Sequence, residues 1–344
     1  MKAFVKDGPG AGNAAVRDVP EPEPGPGDAV IAVRYAGLCH TDVSMLHWND
    51  AATGGYRPRF PLVMGHEYTG TVVALGPDAD GPAPGTRVAG SAHVTCGACA
   101  FCRRGRSMLC ARLAVLGLDV DGVFAEYAAV PARNLVPLPD AVPDTVAVLA
   151  EPYAVAAHAV ATGAPAPGET VAIVGPGAIG LCATAEARFH GIEDLAVYGR
   201  PADGAQLTLA RELGATATRT EPDDAECDLV IEAAGHPAAV ALALRLCRPG
   251  GRVVTAGLPA DRLDLDTADL ARTEKTLTGV RAYDLGEWPG IPARLAAAPA
   301  LSGLVTHVLG LADVPRAVEL MATRRATRTA IDPARFTAAQ DGEG

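Results

Sequence analysis

The residues most able to do chemistry cluster at Gly37-Leu38-Cys39-His40-Thr41-Asp42-Val43, where a thiol, an imidazole, a hydroxyl and a carboxylate are consecutive. Alone, Cys39 reads equally well as a small buried hydrophobe, the usual fate of a free cysteine. Further on, Val63-Met64-Gly65-His66-Glu67-Tyr68-Thr69-Gly70 adds an imidazole and a carboxylate before a β-like run. An isolated His-Glu pair is more often a surface pair than a ligand set. A third carboxylate, Glu151 in Leu149-Ala150-Glu151-Pro152-Tyr153, opens an apolar helical stretch, where the helix dipole by itself favours an acid.

A more specific signal is Cys96-x2-Cys99-x2-Cys102-x7-Cys110. Its short gaps let one loop fold round a tetrahedral cation, and four thiolates favour zinc. The bacterial iron-sulfur motif also opens with two x2 gaps but closes with x3 and then proline. Here seven residues intervene and Ala111 follows. Four protein thiols leave no open coordination position, so a structural zinc is expected. Cys182, Cys227 and Cys247 sit in apolar runs and read as inert packing.

The run Thr170-Val171-Ala172-Ile173-Val174 leads into Gly175-Pro176-Gly177-Ala178-Ile179-Gly180 and an apolar stretch to Phe189. This is strand, glycine turn and helix, the context in which G-x-G-x-x-G binds a dinucleotide. An NAD-binding sheet presents an acid to the ribose 2′-hydroxyl some 20 residues on. This chain has Gly199-Arg200 there. Glycine makes room and the arginine fork suits a phosphate, so NADP is expected over NAD, with acceptance of both as the alternative.

These groups need elements to hold them. Residues 1–148 are dense in Gly and Pro, with β-like runs at Ala29–Tyr35, Tyr68–Leu75 and Phe124–Val130, which predicts a mostly antiparallel β domain. Residues 149–281 alternate strands (Thr170–Val174, Leu195–Tyr198, Asp228–Glu232, Arg252–Ala256, Thr276–Val280) with helices near Leu181–Phe189, Gln206–Leu213 and Pro237–Leu246, which predicts an α/β, doubly wound parallel sheet. Residues 282–344 are expected to return to the first domain. Two domains suit 344 residues. A net charge of -11 argues against nucleic acid as a partner. No apolar block approaches the roughly 18 residues of a membrane span. The amino-terminal stretch lacks an apolar signal region, and a cytoplasmic protein is expected.

Assembled, the chain closely resembles the zinc-dependent medium-chain dehydrogenase/reductase family of alcohol, polyol and threonine dehydrogenases. The resemblance rests on GLCHTDV, GHEYTGTV, the four-cysteine lobe, the AEP stretch, GPGAIG and Arg328-Thr329-Ala330-Ile331-Asp332-Pro333. It implies a GroES-like β domain split by a Rossmann domain, with the active site in a cleft between them. It also implies that Cys39 and His66 are ligands of a catalytic zinc, with Glu67 and Glu151 competing for the carboxylate role. Glutamate followed by proline at 151–152 resembles the polyol, sugar and threonine branch. Thr41 matches the hydroxyl that accepts the alcohol proton, Asp42 the acid that orients ligands, and His40 and Arg328 the positions that touch the cofactor pyrophosphate. Many relatives relay the proton to a histidine where this chain has Ser44; His47 is a candidate substitute.

The implied activity is hydride transfer between NADP and a secondary alcohol of polyol, sugar, cyclitol or amino-alcohol type, or the matching ketone. The rivals are a zinc-free NADPH-dependent reductase of an activated C=C bond and a non-catalytic, zinc-stabilised NADP-binding protein. Trp48, Tyr56, Tyr153, Trp288 and the segment Ala51–Phe60 are candidates to shape the pocket. The family's habit of pairing nucleotide domains along the last strand implies a homodimer or homotetramer.

Overall fold

A strand that is apolar on one face and flanked on both edges forms the spine of the first of two compact units. In the computed structural model, which describes residues 1–49, 55–258 and 261–335, that strand is Asp28–Gly37, with Ala29, Ile31 and Val33 buried. It pairs antiparallel with Glu67–Leu75 on one edge. Its first half pairs with Tyr127–Pro131 and its last residues with Arg328–Asp332. The full seven-stranded sheet adds Arg87–Gly90, Leu135–Pro137 and Val305–Gly310, the last of these parallel to Arg328–Asp332. The expected antiparallel domain is present, although the third run starts at Tyr127 because Ala125 instead bridges to Ala3.

Among the described residues this unit comprises those of Met1–Glu151, Asp284–Ala296 and Val305–Arg335. Its register brings three positions together: Gly37 lies opposite Glu67 on one side and opposite Ala330 on the other, two residues along from Arg328. Helix His40–His47 follows directly. Asp42 at its third position accepts the Cys39 backbone N–H at 2.9 Å, which satisfies a donor the helix start would leave open. Trp48 ends it with a left-handed φ of 56°. Met45 and Leu46 face the core, and burying each is worth about 1.5–3 kcal/mol.

The second unit is Pro152–Tyr283 together with Ala297–Leu304. Its six parallel strands run in the order Ala217–Arg219, Asp194–Tyr198, Thr170–Val174, Cys227–Glu232, Cys247–Thr255, Thr276–Gly279. That is the doubly wound dinucleotide-binding order. The central strand is buried through Val171, Ala172, Ile173 and Val174, as a strand covered on both faces must be. The short strand Ala217–Arg219 escaped the sequence pattern because three residues carry no periodicity. The candidate segment Ala51–Phe60 lies partly outside the described residues.

Candidate active site and metal centres

Cys39, His66 and Glu67 each turn a ligand atom into one small space, all within 4.8 Å of one another. The fold places them: Cys39 follows the Asp28–Gly37 strand, Glu67 begins the strand paired with it, and His66 stands immediately before Glu67. His66 and Glu67 are buried. Glu67 needs Gly37 to have no side chain, since a Cβ there would stand 2.2 Å from Glu67 Oε2.

Asp42 is fully buried, and its Oδ1 lies 3.3 Å from His66 Nδ1. Burial alone would lower the His66 pKa, but the Asp42 carboxylate and the Cys39 sulfur together outweigh it and raise the imidazole well above its ordinary value. With Nδ1 turned toward Asp42, the other ring nitrogen is the one free to serve as a ligand. Glu67 is ion-paired to the buried Arg328, although neither of its oxygens makes a well-formed hydrogen bond among the described residues. Burial opposes the Arg328 charge, and Glu67 more than restores it. Glu151 lies outside the tight group but feels it: burial first, then the Glu67 charge, pushes its carboxyl up to about 7. A sulfur, an imidazole nitrogen and a carboxylate with under-satisfied oxygens make a donor set that fits zinc with a coordination position left open.

Thr41 Oγ1 lies 3.7 Å from Cys39 Sγ. Ser44 is half-buried one turn along the helix, with Asn49 Nδ2 at 3.5 Å from its hydroxyl. His47 is exposed at the helix end. His40 is exposed, and partial desolvation followed by the Arg328 charge lowers its pKa. Of the aromatic candidates, Tyr153 and Trp288 are buried, with Tyr153 bonded to Glu186 at 2.9 Å. Trp48 is half-buried between the Lys6 ammonium, 5.3 Å from its ring centre, and Phe60.

The four thiols of the second centre also converge. Cys96–Cys102, Cys99–Cys102 and Cys96–Cys110 sulfurs are separated by 4.0, 3.5 and 3.5 Å. A tetrahedron with bonds of about 2.3 Å sets its ligand sulfurs about 3.8 Å apart, so the loop fits the ion. Backbone N–H groups of Cys96, Cys102 and Arg112 point at the sulfurs of Cys110, Cys99 and Cys110. Bonds from Ala98 N–H, then Arg112, lower Cys96 to about 5, whereas burial and the neighbouring sulfurs push Cys102 up to about 12. Four crowded thiols cannot all ionise without a cation among them.

In the second unit Gly175 has φ 100°, and a Cβ on Gly180 would stand 1.9 Å from Gly175 O, while nothing lies within 4 Å of one on Gly177. The first glycine turns the chain, the third packs helix Ala178–Phe189 on the strand, and the second leaves open space at the helix start. Ala178 and Ile179 open that helix. Gly199 must also be bare for packing, because a Cβ there would meet Pro176 Cγ at 2.9 Å and Leu207 Cδ2 at 3.1 Å. It lets the glycine turn pack close. Arg200 is half-exposed and bonded to Asp203. Two residues that sequence reasoning passed over matter here. Gly37 is legible only through cross-strand register, and Asp203 only through the three-residue spacing of a turn.

Residues 25–140 match the alcohol dehydrogenase GroES-like domain and residues 178–297 match the zinc-binding dehydrogenase family. An L-threonine 3-dehydrogenase of Deinococcus radiodurans is 32% identical, over 96% of this chain and 98% of its own. A structure from Sinorhizobium meliloti, described as a zinc-binding dehydrogenase bound to NADP, is 30% identical with a TM-score of 0.87, over 96% of this chain and 99% of its own. An Escherichia coli alcohol dehydrogenase complexed with NADH is 27% identical with a TM-score of 0.86, over the same shares.

Proposed function

Since the chain belongs to the zinc-dependent medium-chain dehydrogenase family and is an alcohol- or polyol-type oxidoreductase, we propose that it passes hydride between NADP and a secondary alcohol on a polyol, sugar, cyclitol or amino-alcohol skeleton, or reduces the matching ketone. The observation that carries this reading is the convergence of half-buried Cys39 with buried His66 and Glu67 beside Thr41 and Asp42. The threonine dehydrogenase relative supports an amino-alcohol within that range.

On this reading Cys39 and His66, with Glu67 or Glu151, hold a catalytic zinc, and Cys96, Cys99, Cys102 and Cys110 hold a structural one. Zinc in the first site supplies the Lewis acidity that makes an alcohol hydroxyl acidic near neutral pH, and a nicotinamide supplies the hydride acceptor. The Thr41 hydroxyl takes the substrate proton; Ser44 occupies the position where many relatives carry the relay histidine, and His47 is the candidate substitute. Asp42 holds His66 in one tautomer and keeps Cys39 at the helix start. Arg328 balances the Glu67 charge from the neighbouring strand. Burial of this cluster strengthens each of these interactions over its value in water.

Gly175, Gly177, Ala178, Ile179 and Gly180 cradle the pyrophosphate, with His40 and Arg328 as further contacts, and Gly199-Arg200 meets the adenosine ribose. NADP is preferred and NAD is the second choice. Residues 1–148 and 282–344 are read as the catalytic domain and 149–281 as the nucleotide domain, apart from Ala297–Leu304, which cluster with the second unit. The reading extends to a cytoplasmic homodimer or homotetramer; the edge strand Thr276–Gly279 supports pairing. No helix of the described residues is long and apolar enough to cross a membrane.

The test is an initial-rate screen of L-threonine, polyols, sugar alcohols and cyclitols with NADP and NAD, followed by absorbance of the reduced cofactor. Chelator-sensitive oxidation, faster with NADP, is expected. A zinc-loaded protein that oxidises none of them and reduces none of their ketones refutes the reading.

A further inference from the structure

We propose that Asp203 sets the cofactor preference of this chain by compensating the charge of Arg200, which makes it a specificity-determining residue. The inference rests on the reading of Arg200 as the partner of the adenosine 2′-phosphate.

The chain leaves strand Asp194–Tyr198 through Gly199 and Arg200, forms one 3-10 turn at Pro201–Asp203, and enters helix Gly204–Glu212. Asp203 occupies the N-cap position of that helix, where an aspartate ordinarily accepts from the first free N–H groups. Here its carboxylate caps nothing in the helix. It turns back instead: Oδ2 accepts Arg200 N at 2.8 Å and Nε at 3.0 Å, and Oδ1 accepts Nη2 at 2.6 Å. These bonds hold the Asp203 carboxyl below its usual range, so it is charged at neutral pH.

A guanidinium has five N–H donors. Asp203 takes the edge formed by Nε and Nη2, and the end formed by Nη1 and the other Nη2 proton is left for a ligand. A phosphate on that end meets a cation already bonded to an anion, and it faces the Asp203 carboxylate across the same planar group. On the neighbouring strand Arg219, whose carbonyl accepts the Gly199 N–H at 2.9 Å, is likewise paired, to Asp223 at 3.1 Å. An NAD site offers the ribose an acid and an NADP site offers it a cation. This chain carries both, three residues apart, bound to each other. Asp203 orients Arg200 and at the same time weakens its hold on the phosphate, which brings the two cofactors closer in affinity.

Titration calorimetry with adenosine 2′,5′-bisphosphate and adenosine 5′-phosphate reads the 2′-phosphate alone, without turnover. Asp203→Asn keeps the shape and removes the charge. It is expected to tighten the bisphosphate about three- to tenfold, with a smaller gain at high salt, and to change the monophosphate less than about twofold. Asp203→Ser, which removes the charge and supplies a favourable helix cap, is expected to act in the same direction. Asp269→Asn makes the same charge change at another exposed position of this unit and is expected to leave the ratio of the two affinities unchanged. Unchanged or weaker bisphosphate binding in both Asp203 variants overturns the proposal and leaves Arg200 as an arginine that needs its buttress. Arg200→Ala is expected to abolish the preference for the bisphosphate. A ratio unaltered by Arg200→Ala sinks the NADP reading itself, and this proposal with it.

Discussion

Gly37→Ala tests the geometry of the proposed catalytic cluster most directly. A Cβ at this position stands 2.2 Å from Glu67 Oε2 and 3.1 Å from Glu67 Cβ. Ordinary contact begins at 3.4 Å, so the carboxylate must retreat by 3.4 − 2.2 = 1.2 Å or the paired strands must part. Gly37 is not among the glycines with positive φ, so the alanine brings no backbone strain and its effect passes through Glu67. Glu67 is fully buried and paired with buried Arg328, and displacing one partner of such a pair costs about 3–5 kcal/mol at its upper range. A misplacement of about 1 Å in a catalytic cluster costs about 100-fold in rate. The assay combines kcat/KM for the best alcohol from the screen, zinc per chain by elemental analysis, and thermal denaturation. The expected result is a loss of about 100-fold in kcat/KM, weakened retention of one of the two proposed zinc ions, and a folded protein. Parental activity and zinc retention in the alanine variant would show that Glu67 is free to move and that the cluster is not held as described.

Asp42→Asn keeps an acceptor for the Cys39 N–H but no longer holds His66 by charge; zinc affinity at the Cys39 site, from chelator competition, should fall about 10- to 100-fold. Cys99→Ser should lower thermal stability and release one zinc while leaving the Cys39 cluster's zinc bound, since the four-thiol lobe cross-links its own loop; loss of both ions together would contradict this separation. Asp228, which accepts Thr170 N–H at 2.8 Å and pairs with Arg248 at 2.6 Å, has its carboxyl lowered to about 2, first by the Thr170 bond. A depressed carboxylate stabilises the fold above its unfolded pKa and loses that contribution as pH falls through its folded value. Asp228→Asn should therefore cost about 1 kcal/mol at neutral pH, after allowance for solvent screening, and the gap to the parent in chemical denaturation should close between about pH 4 and pH 2. His47 is exposed, and a rate-pH profile of His47→Ala that overlays the parent's would remove it from the proton relay.

Much of this molecule was legible in the residue order. The glycine turn, the four-cysteine spacing and the alternation of strands and helices are local patterns, each carrying its own physical reason over a few residues. Thr170–Val174 and Pro237–Leu246 were read to the residue for that reason. Ala217–Arg219 was not, since its place in the sheet comes from pairing with Asp194–Tyr198 and not from any pattern of its own.

The sequence by itself determined that Cys39, His66 and Glu67 were present and of the right chemical kinds. It could not say that Glu67 stands inside the tight group while Glu151 stands outside it, because those two glutamates are 84 positions apart in the chain and only folding brings them into one field. Tertiary structure alone decided that Gly37 must be bare for Glu67, that Arg328 meets Glu67, and that Gly199 gives space to Pro176. The physical reason is common to all three. Side-chain type is local, whereas contact between distant segments depends on strand register, which places the residue opposite Gly37 only after the sheet has formed.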